Sequence, residues 1–274
     1  MRPTTIVPDV CLLVIGWQFV DGWPLVVGAN RDEWLDRPAT AITVLQDGRP
    51  RILGGRDERA GGTWIAVNEH GVVCGLTNTP MPDGPDPTKL SRGRLPLIAA
   101  RARTAVDAAD ALADESDANP YNPAWLLVGD RESLHYLAVG TDESAGPQRL
   151  DPGLHVLENA AFGVPSVKVD HVRSALRNAD AGGRSLWDAL PGVLADHTVP
   201  GAPSGGHRFP DGRERREATL APCVHSDDYG TRSSTLVRVA DVATELPEIL
   251  VADGPPCTSP FVDAGHFWPP AAGS

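Results

Sequence analysis

Apolar, β-branched segments that come in pairs, joined by short turns, limit this chain to a small set of folds. Residues 11–20, CLLVIGWQFV, and 24–30, PLVVGAN, are separated only by residues 21–23, DGW, which is the signature of a β-hairpin. Residues 62–78 contain a second pair of the same kind. Because these segments are apolar on both faces, they predict sheets that are covered on each side.

Between the strand pairs the hydrophobic period changes to that of a helix. Residues 91–115 are Ala-rich and predict one or two helices, and two more are predicted further on, with Pro191 kinking or ending the last. The order is strands, helices, strands, helices and a final strand, which predicts an α+β fold of antiparallel sheets layered with helices. The remaining predicted elements are strands at 124–130, 134–140, 153–159 and 231–242 and helices at 167–178 and 185–195.

The chain has 274 residues, and we expect one domain over residues 11–252. A polar, Gly/Pro-rich surface excursion is predicted at 198–220, and a Pro-rich tail at 253–274.

The net charge of −12 repels phosphate, so we expect no nucleic-acid partner. No run of residues has the length and apolar character of a spanning helix, and no signal peptide is recognisable. We therefore expect a cytoplasmic protein without stable membrane insertion, and the sequence defines no oligomeric state.

The 4 cysteines, Cys11, Cys74, Cys223 and Cys257, are widely spaced and form no CxxC motif. Such spacing favours neither a disulfide framework nor a zinc site. Cys223 and His225 could donate two ligands, but we expect no metal site and no cofactor. Cys74 lies within a predicted strand and is interpreted as a core thiol, whereas Cys11 is either an inert core thiol or an N-terminal nucleophile.

The second predicted strand closes on four consecutive polar residues, Asn30, Arg31, Asp32 and Glu33. One interpretation is a solvated turn with a local ion pair. The other is a functional site, because strand ends are where layered folds place polar site residues.

Four further strings favour the functional site. GGTW at 61–64 contains Trp64, and GLTN at 75–78 brings Asn78 to a strand end. HVLEN ends at Asn159, and YGTRSST introduces Arg232 among small residues.

Together these strings, in this order and with Cys11, SRG at 91–93 and LLVGD, resemble the NRDE family, also called the transport and Golgi organisation 2 family. The resemblance covers residues 11 to about 240. The family is similar in fold to N-terminal-nucleophile hydrolases, which have a four-layer αββα architecture. Among these hydrolases, the closest chemical analogues of the family are the cysteine amidases that cleave bile-salt and penicillin amides.

The resemblance implies a role for each site residue. Cys11 is the nucleophile, Asp32 holds its α-amine, Asn78 and Asn159 belong to the oxyanion region, and Arg232 supports the thiolate. The resemblance places Asn30, Arg31 and Trp64 at the substrate. Ala29 stands where the amidases have an arginine, and Arg31 is the residue that substitutes for it.

An α-amine at Cys11 requires that residues 1–10 be absent from the functional protein. Family members begin Met-Cys, and Val10 occupies the place of that methionine. A GTG codon encodes valine internally but initiates with methionine, and 22 of the 24 basic residues are arginine, as is typical of a GC-rich genome. We therefore expect translation to begin at Val10, with cleavage between Val10 and Cys11 as the other route.

Two functions fit these residues. The first is an N-terminal-nucleophile amide hydrolase or acyltransferase that acts on a small acylated metabolite. The second is a carrier that uses the same pocket to bind haem or an acyl lipid without turnover, with His155 or His225 as haem ligand. For either histidine the alternative is a backbone hydrogen bond.

Overall fold

The computed structural model describes residues 11–81, 84–141, 146–200 and 217–269. The predicted leader, residues 1–10, and most of the predicted excursion at 198–220 lie outside the described residues.

Six strands form the first antiparallel sheet, which we call sheet 1, in the order β10-β1-β2-β11-β12-β13. The predicted N-terminal hairpin is its centre, and Gly22 adopts φ +76° at the turn between the two strands. The strands are β1 (Leu12–Val20), β2 (Trp23–Trp34), β10 (Gly153–Leu157), β11 (Tyr229–Val239), β12 (Glu248–Ala252) and β13 (Val262–Asp263).

Seven strands form sheet 2, in the order β3-β4-β5-β6-β7-β8-β9, so that each strand pairs with its neighbours in sequence. All of these pairings are antiparallel. The strands are β3 (Ala39–Gln46), β4 (Ile52–Asp57), β5 (Ile65–Asn68), β6 (Val73–Asn78), β7 (Ala124–Gly129), β8 (Leu134–Val139) and β9 (Gln148–Arg149).

The helices cover the outer face of each sheet. The pair α1 (Leu95–Ala99) and α2 (Ala105–Ala118) packs on sheet 2, and the pair α3 (Val167–Ala181) and α4 (Leu186–Leu194) packs on sheet 1. The apolar inner faces of the two sheets meet in a shared core. The predicted four-layer αββα architecture is therefore confirmed.

The helices begin where the sequence offers hydroxyl caps. The side chains of Thr104, Ser166 and Ser185 each accept a hydrogen bond from the backbone N–H three residues later. Pro191 was expected to kink or end α4, but the helix continues through it to Leu194. Packing of the apolar face of α4 on sheet 1 offsets the hydrogen bond that proline cannot donate.

Several strands were absent from the sequence interpretation. β3 and β4 were missed, and so was β12, which pairs with β11. Residues after Asp253 were interpreted as a tail, yet β13 extends sheet 1, and the Trp268 indole lies in the core and donates to the Pro247 carbonyl at 2.8 Å. None of the helices in the described residues is long and apolar enough to cross a lipid bilayer.

Candidate active site

The four polar residues of the NRDE string lie within β2, not beyond its end. The strand continues to Trp34, and the side chains of residues 30–33 are buried. The solvated-turn interpretation is therefore wrong. Because side chains alternate along a strand, Arg31 and Glu33 face sheet 2, whereas Asn30 and Asp32 face the helical layer of α3 and α4.

Cys11 begins the row of residues that crosses sheet 1 at this end. Leu12 pairs with Asn30, and Leu13 pairs with Leu157. The same registers, continued to Cys11, place it between Arg31 and Asn159. The backbone N–H of Cys11 donates to Asn159 Oδ1 at 2.9 Å. Antiparallel pairing thus joins two predicted site residues that are 148 positions apart in sequence.

A cavity of about 740 Å³ opens at this end of the two sheets. Its floor comes from the ends of β1, β2 and β6, and its sides come from the segments that follow β4 and β6. Predicted site residues in its wall are Cys11, Arg31, Asp32, Trp64 and Asn78. Further residues that shape the wall are Glu33, Arg37, Asp57, Thr63, Leu76, Pro80, Met81, Lys89 and Arg92.

Arg31 is held in the wall by an aromatic ring and by carboxylates. Its guanidinium lies 4.5 Å from the centre of the Trp64 ring, and its Nη2 lies 3.5 Å from Glu33 Oε2. Arg37 contacts the same Glu33 oxygen at 3.5 Å and Asp57 Oδ2 at 2.7 Å. The two arginines and two carboxylates therefore form one alternating network along the cavity wall.

Asp57 also organises the turn that follows β4. Its Oδ1 accepts hydrogen bonds from the backbone N–H groups of Arg59 and Ala60, both at 3.0 Å. Partial burial would raise the pKa of Asp57, but these bonds and the one from Arg37 outweigh it and lower the pKa. Asp57 is accordingly a charged anchor for this side of the cavity.

Asp32 is the most perturbed acid at the site. Its Oδ1 accepts a hydrogen bond from the Thr231 hydroxyl at 2.5 Å, whereas its buried Oδ2 has no hydrogen-bond partner in the described part of the chain. Burial raises the pKa of Asp32 to about 7, although Lys168 of α3 and the Thr231 hydroxyl lower it. The carboxylate is therefore poised to accept a hydrogen bond or a positive charge.

Two asparagines arrive at this end from different sheets. Asn78 is the last residue of β6 in sheet 2, and Asn159 follows β10 in sheet 1. The Thr77 hydroxyl donates to the Glu158 carbonyl at 3.0 Å and ties the two strand ends together. Asn78 lines the cavity, whereas Asn159 contacts the Cys11 nitrogen. The buried Nδ2 of Asn159 has no partner among the residues that the structure describes.

The GGTW and SRG strings contain glycines that allow two segments of the backbone to come close together. The sequence alone did not predict this contact. A Cβ on Gly62 would lie 2.7 Å from the backbone of Gly93, and the Thr63 N–H donates to the Gly93 carbonyl at 2.9 Å. Gly55 is packed against Trp64, since a Cβ there would lie 2.0 Å from the indole ring. The close contact of residues 62–63 with Gly93 builds part of the cavity wall.

Two predicted site residues lie elsewhere. Asn30 faces the helical layer, where its Nδ2 donates to the carbonyls of Leu194 and Pro222, each at 2.9 Å. Arg232 occupies the bulge between Thr231 and Ser233, where its side chain donates to a backbone carbonyl and does not line the cavity. Strand alternation and the bulge turn these side chains away from the cavity, and the roles of Asn30 at the substrate and of Arg232 beside the thiolate stay predictions.

The structure also shows the surroundings of the other cysteines and histidines that the sequence singled out. Cys74 is buried within β6, where burial raises its thiol pKa, as expected for a core thiol. His155 Nε2 is 2.9 Å from the Asp151 carbonyl, the backbone contact that was the alternative to haem ligation. Neither His155 nor His225 lines the cavity, and the described wall contains no histidine.

Sequence reasoning missed most of the charged wall. Arg37, Asp57 and Lys89 lie in segments without a predicted element, and Arg92 lies in the stretch that was predicted as helical. The one available signal was SRG, which contains Arg92 and the glycine that contacts Gly62.

Comparisons with known proteins agree with this architecture. A Caenorhabditis elegans N-acylethanolamine-hydrolyzing acid amidase (NAAA) ortholog aligns with a TM-score of 0.52 at 13% identity, covering 86% of this chain and 98% of that one. The fold is thus that of N-terminal-nucleophile hydrolases.

Sequence relatives give the family. The Transport and Golgi organization protein 2 homolog of Bos taurus is 29% identical over 235 residues, which is 80% of this chain and 83% of the bovine protein. The Homo sapiens homolog is 27% identical over 235 residues, with the same coverage. The family model Transport and Golgi organisation 2 matches residues 10–244, and the chain therefore belongs to that family.

Proposed function

We propose that this protein is a cysteine N-terminal-nucleophile amide hydrolase or acyltransferase that acts on a small acylated metabolite. The observation that carries the proposal is the placement of Cys11. Of the 4 cysteines, Cys11 alone lines the cavity of about 740 Å³, and its backbone nitrogen is held by Asn159 Oδ1. A cavity of this size suits a small-molecule ligand.

The mechanism requires Cys11 as the first residue of the functional protein. While residues 1–10 are attached, its nitrogen is an amide and cannot act as a base. Once free, an α-amine has a pKa of about 7.7–8.0 and a thiol about 8.5, so proton transfer between them costs only ~1 kcal/mol. An amine of this pKa suits general-base catalysis near neutral pH.

Asp32 acts as a positioning residue for that amine. Its Oδ2 is buried and has no partner in the described residues, and the carboxylate lines the same cavity as Cys11. An α-ammonium group would supply both a hydrogen bond and a positive charge to this oxygen. Because opposite charge favours the ionised carboxylate, the amine would lower the raised pKa of Asp32.

The reaction proceeds through an acyl-enzyme. Cys11 Sγ bonds to the acyl carbonyl carbon while its proton moves to the α-amine. The C–N bond of the substrate then breaks, and the leaving amine takes that proton. Water hydrolyses the thioester, or an acceptor amine or alcohol takes the acyl group in a transferase. Amide donors of Asn78 and Asn159 stabilise the oxyanion.

The wall chemistry supports an acylated substrate with a polar or anionic head. Trp64, Leu76 and Met81 provide apolar surface, and Lys89 and Arg92 provide positive charge. The fold likeness to a protein named as an N-acylethanolamine-hydrolyzing acid amidase supports the choice of an amide bond.

The test compares a protein that begins at Cys11, made by removal of an N-terminal fusion, with the full chain. Both are incubated with a panel of fluorogenic N-acyl amides, and acyl adducts are located by peptide mass spectrometry. We expect turnover and an acyl group on Cys11 only in the protein that begins at Cys11. Cys11→Ala should abolish both signals, and Cys74→Ala is the matched control. Turnover that survives Cys11→Ala would refute the proposal.

A carrier that binds an acyl lipid in the same cavity is the second candidate. The apolar side chains of Trp64, Leu76 and Met81 in the wall favour it. The same panel distinguishes it, because a carrier would retain the intact acyl amide in native mass spectrometry and give no adduct on Cys11.

A further inference from the structure

Four potential metal ligands from three separate segments meet near the start of β11 in sheet 1. We call them the two-cysteine, two-histidine cluster: His197 after α4, Cys223 and His225 before β11, and Cys257 after β12. One ligand atom of each lies within 4.8 Å of the others. The sequence indicated only Cys223 and His225 as possible ligands, because His197 and Cys257 are distant from them along the chain.

Three distances within the cluster fit a tetrahedral ion, and all four ligand atoms lie within 4.8 Å of one another. Zinc bonds of about 2.3 Å to sulfur and 2.0–2.1 Å to nitrogen place two ligand sulfurs ~3.8 Å apart and a sulfur and a nitrogen ~3.6 Å apart. The two sulfurs lie 3.9 Å apart, and His225 Nε2 lies 3.6 Å from Cys223 Sγ and 3.3 Å from Cys257 Sγ. The sulfur separation is far from the ~2.05 Å of a disulfide.

The surroundings orient the ligands. His197 Nδ1 is 3.2 Å from the Cys223 carbonyl, which can only accept, so Nδ1 carries the proton and Nε2 keeps its lone pair. Cys223 is buried and Cys257 exposed, so an ion could enter from the surface.

We propose that His197, Cys223, His225 and Cys257 form a structural Zn²⁺ site. Two thiolates and two imidazoles are a ligand set typical of closed, four-coordinate zinc centres. The expectation of no metal site is thereby revised. Cys257 lies beyond residues 10–244, so the site is not contained in the segment that matches the family.

The ion would fasten the segment that positions Asp32. Val224 lies between the ligands Cys223 and His225, and its N–H donates to the hydroxyl of Thr231 in β11 at 2.9 Å. The Thr231 hydroxyl in turn donates to Asp32. Pro222 supplies one of the carbonyls that hold Asn30. The zinc proposal does not depend on whether Cys11 is catalytic.

The test measures metal in the full chain, purified under reducing conditions without chelators. We expect about one Zn²⁺ per chain by inductively coupled plasma mass spectrometry. Replacement with Co²⁺ should give the visible bands of a tetrahedral ion and thiolate charge-transfer absorption. Cys257→Ser and His225→Gln should weaken zinc binding by more than the ~10–100-fold that loss of an outer contact costs, while Cys74→Ala and His70→Gln should not.

Each alternative outcome is decisive. Absence of zinc after incubation with Zn²⁺, a disulfide between Cys223 and Cys257 in the reduced preparation, or undiminished zinc affinity in Cys257→Ser would overturn the proposal. So would copper in place of zinc. Because Cys257 is exposed, its serine variant should fold, which circular dichroism checks. The cobalt spectrum of the unaltered chain reports thiolate ligation even if a variant fails to fold.

Discussion

Residues 30–33 at the end of β2 have different surroundings on the two faces of the strand. On the face toward sheet 2, Arg31 and Glu33 form ion pairs beside an open cavity. On the face toward α3 and α4, Asn30 holds two backbone carbonyls, and Asp32 is bonded to Thr231. One face lines a cavity and the other is bonded to the layer of α3 and α4, although Asp32 also reaches the cavity wall. The four consecutive polar residues are therefore not one site, because strand alternation divides them between two environments.

The largest expected effect concerns the contact between Asn159 and Cys11 across sheet 1. Asn159→Ala, in the protein that begins at Cys11, should lower kcat about 100-fold, because the contact to the Cys11 nitrogen and a nearby amide donor are both lost. Steady-state hydrolysis of the best amide from the panel measures this. The exposed Asn178→Ala is the control, and an unchanged kcat in Asn159→Ala would remove Asn159 from the site.

The next effect tests the helical face. Asn30→Ala should lower the free energy of unfolding by roughly 1–3 kcal/mol, since it leaves buried carbonyls of Leu194 and Pro222 without their donor. Urea unfolding measures the change, and activity per folded molecule should persist. A loss of activity at unchanged stability would instead return Asn30 to the substrate.

A pH series separates Asp32 from its neighbours. Its folded pKa of about 7 is above the ordinary 3.8, so the folded state binds more protons between these values and loses stability as pH rises through them. Above about 7 and below 3.8 the two states carry the same charge at this residue, and the dependence ends.

The expected slope is at most ~1.4 kcal/mol per pH unit. It is measured as the difference in unfolding free energy between the full chain and Asp32→Asn, which cancels the histidines. In the protein that begins at Cys11 the slope should shrink, because the α-ammonium lowers the pKa of Asp32. An equal slope in both proteins would contradict the pairing of Asp32 with the amine.

The smallest effect concerns the exposed end of the ionic network. Arg37→Gln should lower the free energy of unfolding by less than ~1 kcal/mol, because the pair with Asp57 is partly solvated. Thermal unfolding at low and high salt measures it, and salt should reduce the difference. A larger loss that resists salt would mean that Arg37 anchors the whole wall.

Local patterns predicted the parts of the fold in which neighbours in sequence are neighbours in space. The hairpin of β1 and β2, the pair β5 and β6, and the helical layers follow from hydrophobic period and turn chemistry. β3 and β4 were missed because they are only partly apolar, and their pairing is irregular, with two register shifts. Pairing with partners, not propensity, makes them strands.

The candidate site divides in the same way. The sequence and its family resemblance identified Cys11, Asp32, Asn78 and Asn159 as polar groups at strand ends. Which side chains share a cavity was decided by register across sheet 1, by the bulge that displaces Arg232, and by Gly62 meeting Gly93. The two-cysteine, two-histidine cluster needed three segments brought together. Sequence records residue type and local period, whereas contacts between distant segments arise only when sheets pair and layers pack, because those steps bury the apolar faces that hold the chain together.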